Sequence, residues 1–444
     1  MKSLAARAGI SAGWILGGLF LITLELAAQD FNQAPAPSSL PPIQSLGPPP
    51  LLGPDQSLMP AAALGPEQSF ASQPAFAPNQ QSLGGQGGRV GQSNGSPFRT
   101  GLWELDPGVS YQYNATSGIQ SSPGQPSTTT VQSLTASFLL QYGSMWSLGY
   151  SPSWEFYSNP TFQNSVDQQA SLSGHFSEGA WAYGVSQTYA RTSQQLIETG
   201  RQTPEQTYTT GFNALFGAGN AFTLSLVADQ SILTSNAVPD ADTWSTTEQL
   251  RFNLAPHLSL AVANSAGYTL SDPGNNIYYV EPNVQANWEP TSFLTFNVST
   301  GWQRQFIPAT DGAVSTQDFD ASVSYQPVAT STLTLAARRA SSPAQTEDQI
   351  SSPTVFSLNL GQRLLQHFFL SAGITHESTS YTSTDLGLAN TRDDTINSYT
   401  VSLATSLFRR ANINVQFERS RDASNVPGFS FSSTQVGFGV GYRY

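Results

Sequence analysis

The chain has no cysteine in 444 residues, which excludes disulfide frameworks, thiolate metal sites, haem attachment and cysteine nucleophiles together. Charge is also scarce. Only 10% of residues are charged and the balance is −12, so nucleic acid, which needs a basic face, is excluded as a partner. The histidines are His175, His257, His367 and His376, and none supplies a metal pair at helical or strand spacing. No metal or cofactor is expected.

One long apolar stretch is present, Ile10 to Leu24, behind Lys2 and Arg7 and ahead of Leu26-Ala27-Ala28-Gln29. This reads as a secretory signal, residues 1–28, cut after Ala28. Leu26 is larger than the residue usually found before a cut, and Glu25 interrupts the run, so an uncleaved inner-membrane anchor is the competing reading. Without this segment 15 Arg stand against 28 acidic residues, a net of −13.

Residues 29–98 are rich in Pro, Gln, Ser, Gly and Ala and too poor in large apolar residues to bury a core, so a disordered periplasmic arm is expected. A small unit recurs in it: Gln44-Ser45-Leu46, Gln56-Ser57-Leu58, Gln68-Ser69-Phe70 and Gln81-Ser82-Leu83. The unit reads either as duplicated linker or as a multivalent ligand for a periplasmic partner. Linker is the favoured reading.

From residue 99 onward apolar and small polar residues alternate in hairpins about 38 residues long. Leu258, Leu260, Val262, Ala266 and Tyr268 fall on one face, and Ser259, Ala261, Ala263 and Ser265 on the other. Tight reversals stand at Gly143-Ser144, Glu178-Gly179, Gly217 to Asn220, Ala255-Pro256, Glu289-Pro290-Thr291, Ala329-Thr330, Leu365-Gln366 and Arg409-Arg410. Looser connections alternate with them at Asn114 to Thr128, Ser158 to Ser165, Glu198 to Pro204, Pro308 to Ser315 and Thr382 to Asp394. Short turns at one rim and longer loops at the other are the pattern of a transmembrane barrel.

Aromatics support the same reading, because they collect near the ends of the apolar face. Tyr142, Trp146, Trp181, Phe216, Phe222, Trp288, Phe368 and Phe408 stand beside the short turns. Trp154, Tyr189, Tyr208, Trp244, Tyr278, Trp302, Phe319 and Tyr399 stand at the other end, giving two girdles around an aliphatic middle. Each arm runs about 10 to 15 residues, enough to cross a bilayer at a tilt. The expected fold is all-β: an antiparallel up-and-down transmembrane barrel over residues 99–444, of 18 strands, with 16 as the alternative. An even count lets the first and last strands pair and leaves no open edge in lipid.

The chain ends Gln435-Val436-Gly437-Phe438-Gly439-Val440-Gly441-Tyr442-Arg443-Tyr444. Phe438, Val440, Tyr442 and Tyr444 resemble the C-terminal assembly signal of bacterial outer-membrane barrels, which implies the barrel-assembly machinery as a partner. Tyr replaces the Phe usual at the last place. Over residues 100–444 the architecture also resembles bacterial outer-membrane β-barrel porins, some of them associated with polysaccharide export or envelope assembly. That resemblance implies no particular site residue.

A barrel of this size has room for an aqueous lumen. By strand phase, Glu155, Asp229, Arg251, Glu281, Asp318, Asp320, Arg338 and Glu418 are lumen-lining candidates among many Ser, Thr, Asn and Gln. Acidic groups dominate, which suits a channel for neutral or cationic solutes; paired side chains without a transport role are the competing reading. One enzyme-like set is present. His376, Ser378 and Asn397 resemble the His, Ser and Asn of outer-membrane phospholipase, with Ser378 as nucleophile, His376 as base and Asn397 as its orienter. Polar residues above the bilayer edge explain the same set more simply, and no catalytic residue is expected.

The leading functional expectation is a porin-like channel for passive diffusion of small hydrophilic solutes, surrounded by outer-membrane lipid and able to form homo-oligomers. The N-terminal arm and the C-terminus would lie in the periplasm. The alternative is a structural barrel that recruits an envelope or export partner through its arm, and a lipid hydrolase is the remote third reading.

Overall fold

The structure, a computed structural model, describes residues 98–444 apart from 121, 197–200, 219–221, 237, 311, 345–348, 366, 384–391, 408–409 and 444. The expected signal, all of the arm before Phe98, and the aromatic positions Phe408 and Tyr444 therefore lie outside the described residues.

Twenty strand segments occur in chain order. A short β1 (Phe98–Thr100) leads into β2 (Trp103–Gln120), β3 (Pro126–Tyr142), β4 (Trp146–Tyr157), β5 (Ser165–Glu178), β6 (Trp181–Leu196) and β7 (Arg201–Ala218). Then come β8 (Phe222–Ser235), β9 (Asp240–Ala255), β10 (Leu258–Asp272), β11 (Ile277–Thr291), β12 (Leu294–Ile307) and β13 (Gly312–Val328). The last third holds β14 (Ser331–Arg339), the two-residue β15 (Ser342–Pro343), β16 (Gln349–Leu364), β17 (Phe368–Ser383), β18 (Arg392–Leu407), β19 (Ala411–Ser424) and β20 (Phe431–Arg443). Each wall strand pairs antiparallel with its neighbours in sequence, and β2 pairs with β20 from Gly108↔Arg443 to Ser117↔Thr434. Leaving aside β1 and β15, the wall is a closed barrel of 18 strands.

The ladder is continuous because the residues alternate. On β10, Val262 pairs with Leu250 and Val284, while Ser265 pairs with Thr247 and Glu281, so apolar meets apolar outside and polar meets polar inside. Closure at the seam needs space. Inward Gly437 and Gly439 of β20 leave room for the side chains of Asn114 and Asn414, whose Oδ1 atoms would stand 2.2 and 2.1 Å from a Cβ at those glycines.

Two expectations are corrected. The connections at Asn114 to Thr128 and Thr382 to Asp394 are shorter than read, since β2 runs to Gln120, β3 starts at Pro126, β17 runs to Ser383 and β18 starts at Arg392. Outside the bilayer both sheet faces are wet, so Ser- and Thr-rich segments lose their apolar alternation yet continue the ladder. The reversal placed at Glu289-Pro290-Thr291 falls inside β11, with the turn at Ser292-Phe293. The register shifts between Trp288 and Thr291, and that irregularity accommodates Pro290, which has no N–H to give.

Candidate functional site: the barrel lumen

The outer surface defines which side of the wall is wet. Large apolar residues stay exposed along it, Val262 at 57% and Leu335 at 54% among them, an arrangement stable only against lipid or a partner. Beside the short turns, Trp181 packs on Phe216 and Trp288 on Phe296, with ring centroids 5.0 and 5.2 Å apart. At the other end Tyr189 meets Tyr208 and Tyr268 meets Tyr278 at 4.9 and 6.0 Å. Tyrosine and tryptophan at those two levels match the interfaces of a bilayer.

The inward face differs between its two ends. Near the short turns it carries small polar side chains such as Ser147 and Ser173, whose hydroxyls are 2.7 Å apart. Toward the long-loop rim the inward residues become buried: Gln112, Asn114, Glu155, Asp167, Thr247, Gln305, Asp318, Asp394 and Asp422 are all below one-tenth exposed. Inward side chains therefore crowd the outer part of the lumen.

One chain segment that adds to this filling was not expected from the sequence. After Arg339 the chain parts from β13 while staying in register on β16 through Ser342↔Ser351 and Pro343↔Ile350, and β14 has only 9 residues against 16 in β16. Ser341 and Ser342 then face Ser352 and Ser351, with hydroxyl oxygens 2.8 and 3.3 Å apart, forming a buried hairpin base. This base crosses the lumen side of β13. The Gln305 Nε2 of β12 donates to the Ser341 carbonyl at 3.5 Å, and the Ser341 amide donates to the Asp318 carboxylate. Ile350 at the hairpin packs with Ile277 of β11, Ile307 of β12 and Val314 of β13, two to four strands away along the wall. A signal existed in the sequence: the Leu333, Leu335 alternation stops at Ala336-Ala337-Arg338-Arg339, and Ser-Pro steps occur at 342–343 and 352–353.

Beneath this hairpin the structure gathers four of the lumen candidates. Asp320 of β13 is in register with Arg338 of β14 and with Ser299 of β12. Asp318 lies level with Gly301, and the Glu281 carboxylate leans over the same glycine, 3.2 Å from where a Cβ would stand. Arg338 is within electrostatic reach of Glu281, Asp318 and Asp320. Arg339 acts on Asp318 as well, so three carboxylates face two guanidinium groups and the field stays net negative.

The other candidates stand apart. Glu155 of β4 is fully buried and accepts from the Tyr157 hydroxyl at 2.9 Å, while Tyr157 stacks on Phe162 at 5.5 Å. Asp229 of β8 reaches over Gly211 of β7. Arg251 of β9 lies in register with Thr223 and Ala261, and Glu418 of β19 with Thr400 and Gln435. Each faces the lumen on its own strand.

A third inward group closes the rim near the seam. Arg392 forms a two-pronged pair with Asp394, Nε to Oδ1 at 3.0 Å and Nη2 to Oδ2 at 2.5 Å, and its guanidinium stacks over Phe429 at 3.8 Å and Tyr381 at 4.9 Å. With both partners nearly inaccessible, the Arg392→Ala chain is expected to lose about 3 kcal/mol because Asp394 stays buried and unpaired. Urea unfolding of the reconstituted barrel measures this, and the double change Arg392→Met, Asp394→Leu is expected to recover most of the loss.

On the outside, His376 and Asn397 are cross-strand partners, His376 Nδ1 lying 2.8 Å from Asn397 Oδ1. Ser378 pairs in register with Thr354 and Thr395, and among the described residues no side-chain hydrogen bond joins it to His376. Two of the three members of that set are thus brought together.

Comparison with known proteins bears on the part of the wall just described. Residues 280–444 match the family described as "Putative beta-barrel porin 2". The C-terminal part of the barrel, β12 to β20 and most of β11, is thus similar to that porin family. No curated protein matches the chain. Among solved structures it is similar to Pseudomonas aeruginosa OccK2 (OpdF) at 10% identity, TM-score 0.44, covering 76% of this chain and 98% of that one. For Acinetobacter baumannii OccAB3 the values are 11%, 0.45, 77% and 99%, and for P. aeruginosa OpdK with vanillate 12%, 0.44, 77% and 99%. The porin-matched segment contains the cross-lumen hairpin and Glu281, Asp318, Asp320 and Arg338.

Proposed function

We propose that this barrel is a channel for passive diffusion of small hydrophilic solutes across the outer membrane, favouring neutral and cationic solutes over anions. The observation that carries the reading is a wall with a lipid-type exterior closed around a polar lumen, whose narrowed part holds Glu281, Asp318 and Asp320 against Arg338 and Arg339. A carboxylate group at a constriction lowers the barrier for cations and raises it for anions. The short-turn rim, where β1 and the end of β20 lie, is read as periplasmic. There Phe438, Val440 and Tyr442 of β20 point outward, the face that assembly machinery would read.

The test is conductance in planar bilayers under a salt gradient. Stepwise channels with a reversal potential of the cation-selective sign are expected. In the triple variant Glu281→Gln, Asp318→Asn, Asp320→Asn the permeability ratio is expected to fall about threefold or more toward anions, because Arg338 and Arg339 are left as the dominant charges. A wild-type barrel that folds, inserts and stays silent would overturn the channel reading.

A further inference from the structure

The apolar exterior is interrupted on one side. Counting outward residues between the girdles, β13 to β20 present only apolar side chains, such as Val323, Leu335, Leu358, Ala372, Val401 and Val415. On β6 to β10 the same level carries Gln187, Thr210, Gln230, Thr246, Glu248 and Asn264. The parity is set by the ladder: Glu248 lies in register with outward Leu226 and Asn264, and two residues from outward Leu250 on its own strand.

Glu248 is also deep in the belt. It stands four residues inside Trp244 and four from Phe252, and a tilted strand climbs roughly 2.6 Å per residue, so the carboxyl lies about 10 Å from either aromatic level. Neither Glu248 nor Asn264 makes a side-chain hydrogen bond among the described residues, and both are exposed. An ionisable group facing hydrocarbon without a partner is unfavourable and points to a function.

We propose that this face, centred between β9 and β10, is where a second copy of the chain docks in the membrane. The argument is its self-complementarity. Glu248 and Asn264 sit side by side on neighbouring strands, and a two-fold axis along the membrane normal between them would bring the carboxyl of each copy opposite the amide of the other. Amide-to-carboxyl hydrogen bonds in an environment without water then replace two exposed polar groups. The bonded pair Gln187 and Thr210, at 2.7 Å, would lie at the edge of the same contact. This rests on the barrel's lying in a bilayer but not on its conducting.

The absence of cysteine makes the test direct. A single cysteine replaces Ala266, outward on β10 beside the axis, and in a second chain Val415, outward on the far wall. After oxidation in intact outer membranes, Ala266→Cys is expected to give a disulfide-linked band at twice the chain mass, and Val415→Cys none. Adding Glu248→Leu is expected to reduce the linked band at least tenfold while the heat-modifiable folded band persists, and Glu248→Gln, which keeps hydrogen bonding, should retain most of it. The proposal is overturned if Ala266→Cys stays monomeric, if it links to a protein of different mass, if both positions link equally, or if Glu248→Leu leaves the linked band unchanged.

Discussion

Replacing residues 342–351 by two glycines is expected to raise single-channel conductance by about twofold or more, with assembly intact. The reasoning follows from where the hairpin base sits. Ser341, Ser342, Ser351 and Ser352 lie over the lumen side of β13, held by Gln305 of β12 and by Asp318, and Ile350 fills the space above Ile277 and Ile307. The contacts to Gln305, Asp318, Ile277 and Ile307 lie outside the ladder, in which β14 pairs with β16 from Ser331↔Gln362 to Arg339↔Thr354 and β15 continues the same register through Pro343↔Ile350. Removing the crossing segment takes β15 and the Gln349–Ser351 rungs on β17 from the outer end of the sheet, leaves β14 on β16 from Ser331 to Arg339, and so widens the aqueous path while the barrel stays closed below that level. Cation preference should weaken at the same time, because a wider path screens the carboxylates with mobile ions. Planar-bilayer recordings of both chains measure the two effects, and an unchanged conductance would place the narrowest section elsewhere in the lumen.

The second large effect concerns closure. Gly118 of β2 has φ +79°, and a Cβ built there would stand 1.8 Å from the backbone carbonyl oxygen of Ser432 in β20. The register of β2 on β3 shifts at this point, between Ser117 and Ile119, so Gly118 forms the bulge at the outer end of the seam. Gly118→Val places a β-branched residue in the left-handed region and pushes it into backbone, for an expected loss of roughly 3 kcal/mol or more. The obstacle is a main-chain atom of the closing strand, so rotamer changes cannot relieve it. The expected result is a sharp fall in the heat-modifiable folded band and a lower urea midpoint. Gly124→Ala, at a φ of +76° but with only Gly428 Cα nearby at 3.4 Å, is expected to lose much less.

Much of this wall could be read from residue order because a period of two leaves little freedom: once Val262 faces lipid, Ser265 must face the lumen. Leu258 to Tyr268 illustrates how alternation, paired across two neighbours, sets both strand and register. The lumen was less legible, for a physical reason. Parity names the side a residue faces but not how far a segment departs from the cylinder, so Glu281 and Asp318 could be assigned inward without revealing that Ser341 comes to meet Asp318. Outside the bilayer the alternation fades, and Asp394 then looks like the end of a loop although it pairs with Ser424 in the β18–β19 ladder. Glu248 was missed differently. Its outward parity follows from Trp244 and Leu250, yet an isolated carboxylate in an apolar row is easily passed over when the row as a whole is apolar.

The early departure of β14 also shapes the rim. Register between β13 and β14 begins only at Phe319↔Arg339, so Gly312 to Asp318 pair with β12 and not with β14. The barrel is therefore notched on that flank. There the hairpin is tied across the gap by polar contacts in place of sheet bonds, Asp318 accepting from the Ser341 amide and Gln305 Nε2 donating to the Ser341 carbonyl.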